Sequence, residues 1–361
     1  MRAWILAALL ATAGAASAPS VAAQETPPAP SQVMAIPPAL RDALHDAVTA
    51  RSRSPESRLE LLMRFLFESD GGLGMRYDHT ATLTVEEAYR TRRANCLTFT
   101  MLSLALAREV GIEAHAQRMD EVLSWRQENM HLVRSDHVNT GVRVLHRRFT
   151  IDVASDDILT RDPPREISDQ ALLALYYSNR AMEIAIGGNY IGAAPYMAAS
   201  LALDPTSPGS LNNAGVVAMR SGDLPAAERY YRAALQRDAD HWGALANLSQ
   251  LYERQGDIAR AQPLRARSER VLARDPFHQF MAGHRAESAG DYAAAVKRYR
   301  RAIRLHSGEH RFHSALARAL MHQGETRQAV RALTRARDLA DHDSVATYDR
   351  KLSVLRSNAS R

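Results

Sequence analysis

The sequence predicts an α+β domain followed by an all-α superhelix of paired helices, and three observations carry that prediction. Gly188, Gly222, Gly256, Gly290 and Gly324 stand 34 residues apart, a period that marks stacked helical repeats. Ahead of them, after Gly111, the apolar period switches from helical spacing to alternation, with Ile112, Ala114 and Ala116 against Glu113, His115 and Gln117. Just before that switch lies an almost unbroken apolar helix, Leu97 to Ala107, opened by Asn95 and Cys96. Aromatic residues make up only 6% of the chain, which suits helices packed through alanine and leucine.

The chain is read in five parts. Residues 1–23 have the pattern of a secretory signal: Arg2, the apolar run Ala3 to Leu10, and Val21-Ala22-Ala23 as the small-x-small cleavage end. No cysteine follows the apolar run, which excludes a lipid anchor there. Export to a bacterial periplasm is the expected location, with no transmembrane segment once the signal is removed, since no other stretch is long enough to span a bilayer. Residues 24–38 carry Pro27, Pro28, Pro30, Pro37 and Pro38 and read as a flexible linker. Residues 39–165 form the α+β domain. Its helices begin near Ala39, at Ser54-Pro55, at Thr84 and at Asn95; Gly111 closes the last of them. Residues 120–136 are polar and irregular and read as a surface loop. His137–Val144 and Arg148–Val153 follow as two strands of a hairpin linked by Leu145-His146-Arg147.

Residues 166–341 hold the repeats, and 342–361 a capping helix and tail. Five residues after each glycine stands an alanine (Ala193, Ala227, Ala261, Ala295, Ala329), and seven further a second small residue (Ser200, Ala234, Ser268, Ala302, Ala336). Asn189, Asp223, Asp257, Asp291 and Glu325 follow the glycines as helix caps. This pattern resembles the tetratricopeptide repeat, five copies over about half the chain. The resemblance implies a concave groove that takes a protein or peptide ligand. Asn179, Asn213 and Asn247 share one position on the groove-facing helix and are candidates to grip a peptide backbone.

Cys96 is the only cysteine. A thiol in the first turn of a helix meets unpaired N–H groups and the positive dipole end, and both favour the thiolate. An exported single cysteine has no internal disulfide partner, so its presence points to burial or to use. A cysteine nucleophile needs a base and a group to orient that base. His137 opens the first hairpin strand, and Asp152 lies near the end of the second. With positions summing to about 290 opposed, His137 faces about Val153 with Asp152 adjacent or one register step away, so that the two side chains can meet across adjacent strands.

Arg93-Ala94-Asn95-Cys96-Leu97-Thr98-Phe99, with Asp136-His137-Val138-Asn139 and Thr150-Ile151-Asp152 in the same order, resembles the transglutaminase-like superfamily over about residues 75–155. The resemblance implies Cys96 as nucleophile, His137 as general base and acid, and Asp152 as its orienter. It also implies an oxyanion held in part by the Cys96 backbone N–H; Tyr77 is the candidate second donor. Ala94-Asn95 stand where the family often has glycine, and Leu97 where transamidating members often have an aromatic residue, so hydrolysis and transamidation both remain open. A domain of this fold retired to binding is the alternative, and a cell-wall amidase a third reading.

No cofactor or metal is implied. His306, His310 and His313 lie in an inter-repeat turn without an organised carboxylate and read as solvated. The formal charge of +6 and the arginines of the second repeat helices, Arg260, Arg265 and Arg267 among them, read as a solvated face, and no nucleic-acid partner is expected.

Overall fold

The computed structural model describes residues 26–119, 125–128, 131–134, 137–153, 164–340 and 342–359. The expected signal segment, residues 1–23, lies outside the described residues. The first elements are two helices that start on proline, α1 (Pro30–Val33) and α2 (Pro38–Leu44). Proline suits that position because its missing N–H would have no helical acceptor. These residues are no flexible linker: Val33 is fully buried, and the Pro28 carbonyl accepts a 2.6 Å hydrogen bond from the Tyr177 hydroxyl. Prolines stiffen the segment, and Val33 supplies the apolar contact that docks it.

Helix α3 (Pro55–Phe67) starts at its Ser54 cap, and α4 (Val85–Thr91) at Thr84, whose hydroxyl and the Glu87 carboxylate cap each other's backbone N–H. Two short parallel strands, β1 (Arg76–Tyr77) and β2 (Arg93–Ala94), bracket α4. Helix α5 (Cys96–Glu109) follows, and every residue from Cys96 to Leu104 is buried. Burying side chains such as Leu97, Phe99, Leu102 and Leu104 contributes roughly 1.5–3 kcal/mol each. Gly111, at φ 77°, turns the chain out of the helix in a conformation that other residues resist.

The chain then builds a sheet against α5. Strand β3 (Glu113–Met119) leads to a hairpin of β4 (Trp125–Glu128) and β5 (His131–Arg134), where the sequence predicts only irregular loop. Backbone pairing holds that hairpin, and its polar composition hides it from a reading by apolar period. Strands β6 (His137–Val144), β7 (Arg147–Ile151) and β8 (Arg165–Ile167) complete the antiparallel sheet, ordered β7-β6-β3-β8 among the described residues. Leu145 and His146, at φ 44° and 67°, form a two-residue hairpin turn, one residue tighter than expected. Strand β8 pairs Ala116 with Ile167, so the sheet runs past the expected domain boundary at residue 165.

Ten helices of the described residues stack as five pairs: α6 (Asp169–Ile186) with α7 (Tyr190–Leu203), α8 (Pro208–Arg220) with α9 (Leu224–Arg237), α10 (Trp242–Arg254) with α11 (Ile258–Leu272), α12 (Pro276–Ser288) with α13 (Tyr292–Leu305), and α14 (His310–His322) with α15 (Thr326–Leu339). The five periodic glycines sit between partners at φ 78–87°. Asn189, Asp223, Asp257 and Asp291 cap the second helices through their side chains. Glu325 does not cap; its longer arm accepts from the Gln328 side chain instead. Helix α16 (His342–Ala359) closes the array, with Tyr348 and Leu352 buried against the last pair.

Two further glycines show how close the paired helices come. A methyl group at Gly215 would lie 2.4 Å from the Tyr231 ring, and one at Gly283 would lie 2.6 Å from Tyr299. Gly215→Ala is therefore expected to destabilise the protein by about 1–3 kcal/mol, although alanine favours helix elsewhere. Thermal unfolding of the variant tests this; an unchanged or raised midpoint would mean that the Tyr231 ring moves aside freely.

Candidate functional site

Cys96 occupies the first position of α5, so its N–H has no acceptor within the helix. The helix start is held rigidly. Asn95 is 6% exposed; its side-chain oxygen accepts from the Thr98 N–H and its side-chain nitrogen donates to the Thr82 hydroxyl, both at 2.8 Å. Thr98 in turn donates to the Ala81 carbonyl and accepts from the Leu83 N–H, each at 2.8 Å. Residues 81–83 are thereby strapped over the helix start. On the side facing the sheet, Thr100 donates to the Val138 carbonyl at 3.0 Å, and the Ser103 and Thr140 hydroxyls meet at 2.8 Å. The three polar interruptions of the apolar helix, Thr98, Thr100 and Ser103, are its fastenings.

His137 and Asn139, alternate residues of β6, project from one face of the sheet. The β6–β7 register opposes Thr140 to Ile151, a sum of 291, which carries Asp152 opposite Asn139. The His137 Nε2 and an Asp152 carboxylate oxygen lie 2.7 Å apart, with side chains 5% and 6% exposed. Cys96 is the other group that, with Asp152, acts on the His137 imidazole. Burial pushes the His137 imidazole towards its neutral form, but the pull of Asp152 first and of Cys96 next outweighs it. The result is a pKa raised to about 9. The imidazolium is therefore the form held at neutral pH, a buried cation beside the Cys96 thiol that has a proton to give.

Cys96, His137 and Asp152 thus come together as the sequence places them. Tyr77 is less defined: β1 pairs it with Ala94, two residues before Cys96, and its side chain is partly exposed. Asn139 is a site residue that sequence reading passes over. Its side-chain nitrogen donates to the same Asp152 oxygen at 3.3 Å, while its own oxygen is buried without a hydrogen-bond partner. The hairpin register was the signal that could have found it, since a one-residue change in the opposed sum exchanges its partner.

The repeat asparagines are linked in a ladder. Asn213 donates to Ser178 at 3.0 Å, Asn212 to Asn213 at 3.4 Å, and Asn247 to Asn212 at 2.9 Å. Asn179 is exposed and its neighbour Ser178 takes the first rung. Two of the three rungs join positions 35 apart, and the third joins the neighbours Asn212 and Asn213. The His306, His310 and His313 set does not converge. His310 meets the Tyr348 hydroxyl at 2.7 Å and His313 lies 3.1 Å from the Ser307 carbonyl, buried rather than solvated. Burial lowers the His313 pKa. No group of three or more His, Cys, Asp or Glu among the described residues is placed to hold a metal ion. Arg260, Arg265 and Arg267 pair with Asp257, Glu253 and Asp240 on the surface. No helix among the described residues is long and apolar enough to cross a membrane.

The tetratricopeptide-repeat family matches residues 218–276 and 286–347. No curated protein matches the chain. Solved structures with a likeness include a thermophilic TPR protein of Thermus thermophilus (19% identity, 50% of this chain and 98% of that one, TM-score 0.27). Others are YrrB, described as a TPR protein with an unusual peptide-binding site (17%, 49% and 92%, 0.27), and PilF of Pseudomonas aeruginosa (19%, 52% and 94%, 0.29). The family match and the five glycine-hinged helix pairs agree: the C-terminal half of the chain is an array of tetratricopeptide repeats.

Proposed function

We propose that this protein binds a protein or peptide segment along its repeats, and that the N-terminal domain is the part that acts on, or helps hold, the bound partner. The repeat array carries the first half of this reading. Stacked helix pairs leave an extended concave face, and the Ser178-Asn213-Asn212-Asn247 ladder lays a row of amides along their first helices. Panning the full-length protein against a library of unstructured peptides tests it. Selected peptides should lose affinity when Asn179, Asn213 and Asn247 are changed together to alanine. Selection of nothing that depends on these positions would remove the groove reading.

A second reading is favoured by one observation, the 2.7 Å contact of buried His137 with Asp152 beside the helix-start thiol. In this reading the Cys96 thiolate attacks an amide carbonyl to give a tetrahedral oxyanion, which the Cys96 N–H helps to hold. The His137 imidazolium protonates the amine as the C–N bond breaks, leaving a thioester. His137, now neutral, takes a proton from water or a second amine as that nucleophile displaces the thiolate. The helix packed on an antiparallel sheet, with cysteine, histidine and aspartate in that chain order, supports membership of the transglutaminase-like superfamily. The purely binding alternative keeps both domains as interaction surfaces. Export to a bacterial periplasm belongs to the same proposal and rests on the N-terminal signal pattern.

A further inference from the structure

We propose that the repeat array is hinged between its third and fourth helix pairs. Helices α12 to α16 form a unit that folds by itself and swings against the rest about residues 273–275.

At the neighbouring junctions each pair offers its successor a small residue beside a large apolar one. Gly215 and Tyr231 do so in the second pair, and Gly283 and Tyr299 in the fourth; both tyrosines are fully buried. The 34-residue period puts Ser249 and Arg265 at those places in the third pair, and the Arg265 side chain is 59% exposed. Val216, Met219 and Leu235 share a core with Tyr231 and with Leu248 and Leu251 of α10. Their counterparts in the third pair are Gln250, Glu253 and Glu269. The far side of the junction changes as well. Leu248, Leu251 and Tyr252 of α10 correspond to Leu316, Ala319 and Leu320 of α14, all buried. On α12 the same places hold Ala282, Arg285 and Ala286, none of them buried.

Ser249, Gln250, Glu253, Arg265 and Glu269, with Ala246 and Ser268, line an open cavity of about 210 Å³ to which α12 contributes nothing. Among the described residues no apolar core spans the junction: the cores before it end at Leu264, and those after it begin at Phe277. Stacked repeats hold together by the apolar surface they bury between them, and here there is little to bury. The corner differs too. Asp204, Asp238 and His306 end α7, α9 and α13 at φ −137°, −136° and −149°, with ψ 86°, 98° and 104°. Leu272, at the same place in the period, is still helical, and Ala273 follows at φ −65° and ψ −18°. The chain therefore enters α12 from a helical turn instead of the extended corner. The amide ladder stops at Asn247, with Met281 and Ala315 at its place on α12 and α14, so it lies wholly on one side of the hinge.

Amide hydrogen exchange of the full-length protein tests the independence, because a separate unit opens on its own. Leu320→Ala, in the core of the last unit, is expected to speed exchange in α12 to α15 by about thirtyfold or more, the scale of a buried leucine deletion. Exchange in α8 to α11 should stay within about twofold of the unaltered protein. Pairs of spin labels measure the swing, with Cys96→Ser removing the native thiol. Ser221, Gln255 and Gln323 are exposed and share one place in the period. Labels at Gln255 and Gln323 span the hinge and should give a distance distribution at least about twice as wide as labels at Ser221 and Gln255, which do not. Exchange that fails to rise in α12 to α15 alone, or equal widths for the two pairs, would overturn the hinge.

Discussion

Replacing His137 with alanine is expected to slow alkylation of Cys96 at pH 7 by about a hundredfold, the low end of what a positioned acid–base group contributes. The argument runs through charge. Cys96 is buried, and a buried thiolate without a counter-ion is strongly disfavoured. Under the nucleophile reading proposed above, the His137 imidazolium, held charged to a pKa of about 9 by Asp152 and Cys96 against the effect of its burial, supplies that counter-ion. Alanine removes it and leaves the Asp152 carboxylate buried without its 2.7 Å partner. The same shift fixes the sign of a stability effect. A histidine whose folded pKa lies above its ordinary 6.5 stabilises the folded state fully below 6.5, and the contribution is lost as pH rises through about 9. The difference in melting temperature between the unaltered protein and His137→Gln should be largest near pH 6 and close above pH 9. A difference that grows with pH, or alkylation rates that coincide, would remove the ion pair from the account.

Local signals in the sequence were sufficient for the parts of the molecule whose geometry is local. Positive-φ glycines and small residues at fixed offsets, with caps one residue later in four of the five, define each helix pair from within its own 34 residues. The cysteine helix was equally legible, because Asn95 and Gly111 mark its ends and its apolar content marks its burial. The His137–Asp152 meeting was legible because a hairpin turns two sequence separations into one spatial neighbour. Contacts across long separations were not. Nothing near Val33 signals that Tyr177, on the first repeat helix, will bond Pro28, and nothing near residue 165 signals that the chain re-enters the sheet beside Ala116. Asn139 was hidden by a one-residue difference in register.

A chain ending at residue 165, the boundary the sequence suggests, is expected not to fold. Such a truncation removes most of β8 and so exposes the edge of β3 along Ala116 and Gln117. It also removes α6, whose Leu172, Tyr176 and Tyr177 belong to the same core as Leu66, Leu97 and Phe99. Each of these large buried side chains contributes roughly 1.5–3 kcal/mol, and three of them lost together with their contacts rival the usual total stability of about 5–15 kcal/mol for a domain. The Arg108–Asp169 fork and the docking of Pro28 on Tyr177 disappear as well. A chain ending at Arg237 keeps the first two helix pairs and should retain a cooperative melt, since Ala214 and Val217 are the last residues of that core. Circular dichroism and thermal unfolding of the two truncations decide it. A cooperative transition in the shorter chain would show that the N-terminal domain is independent. Its absence, with recovery in the longer chain, would make the first repeats part of the fold that holds Cys96.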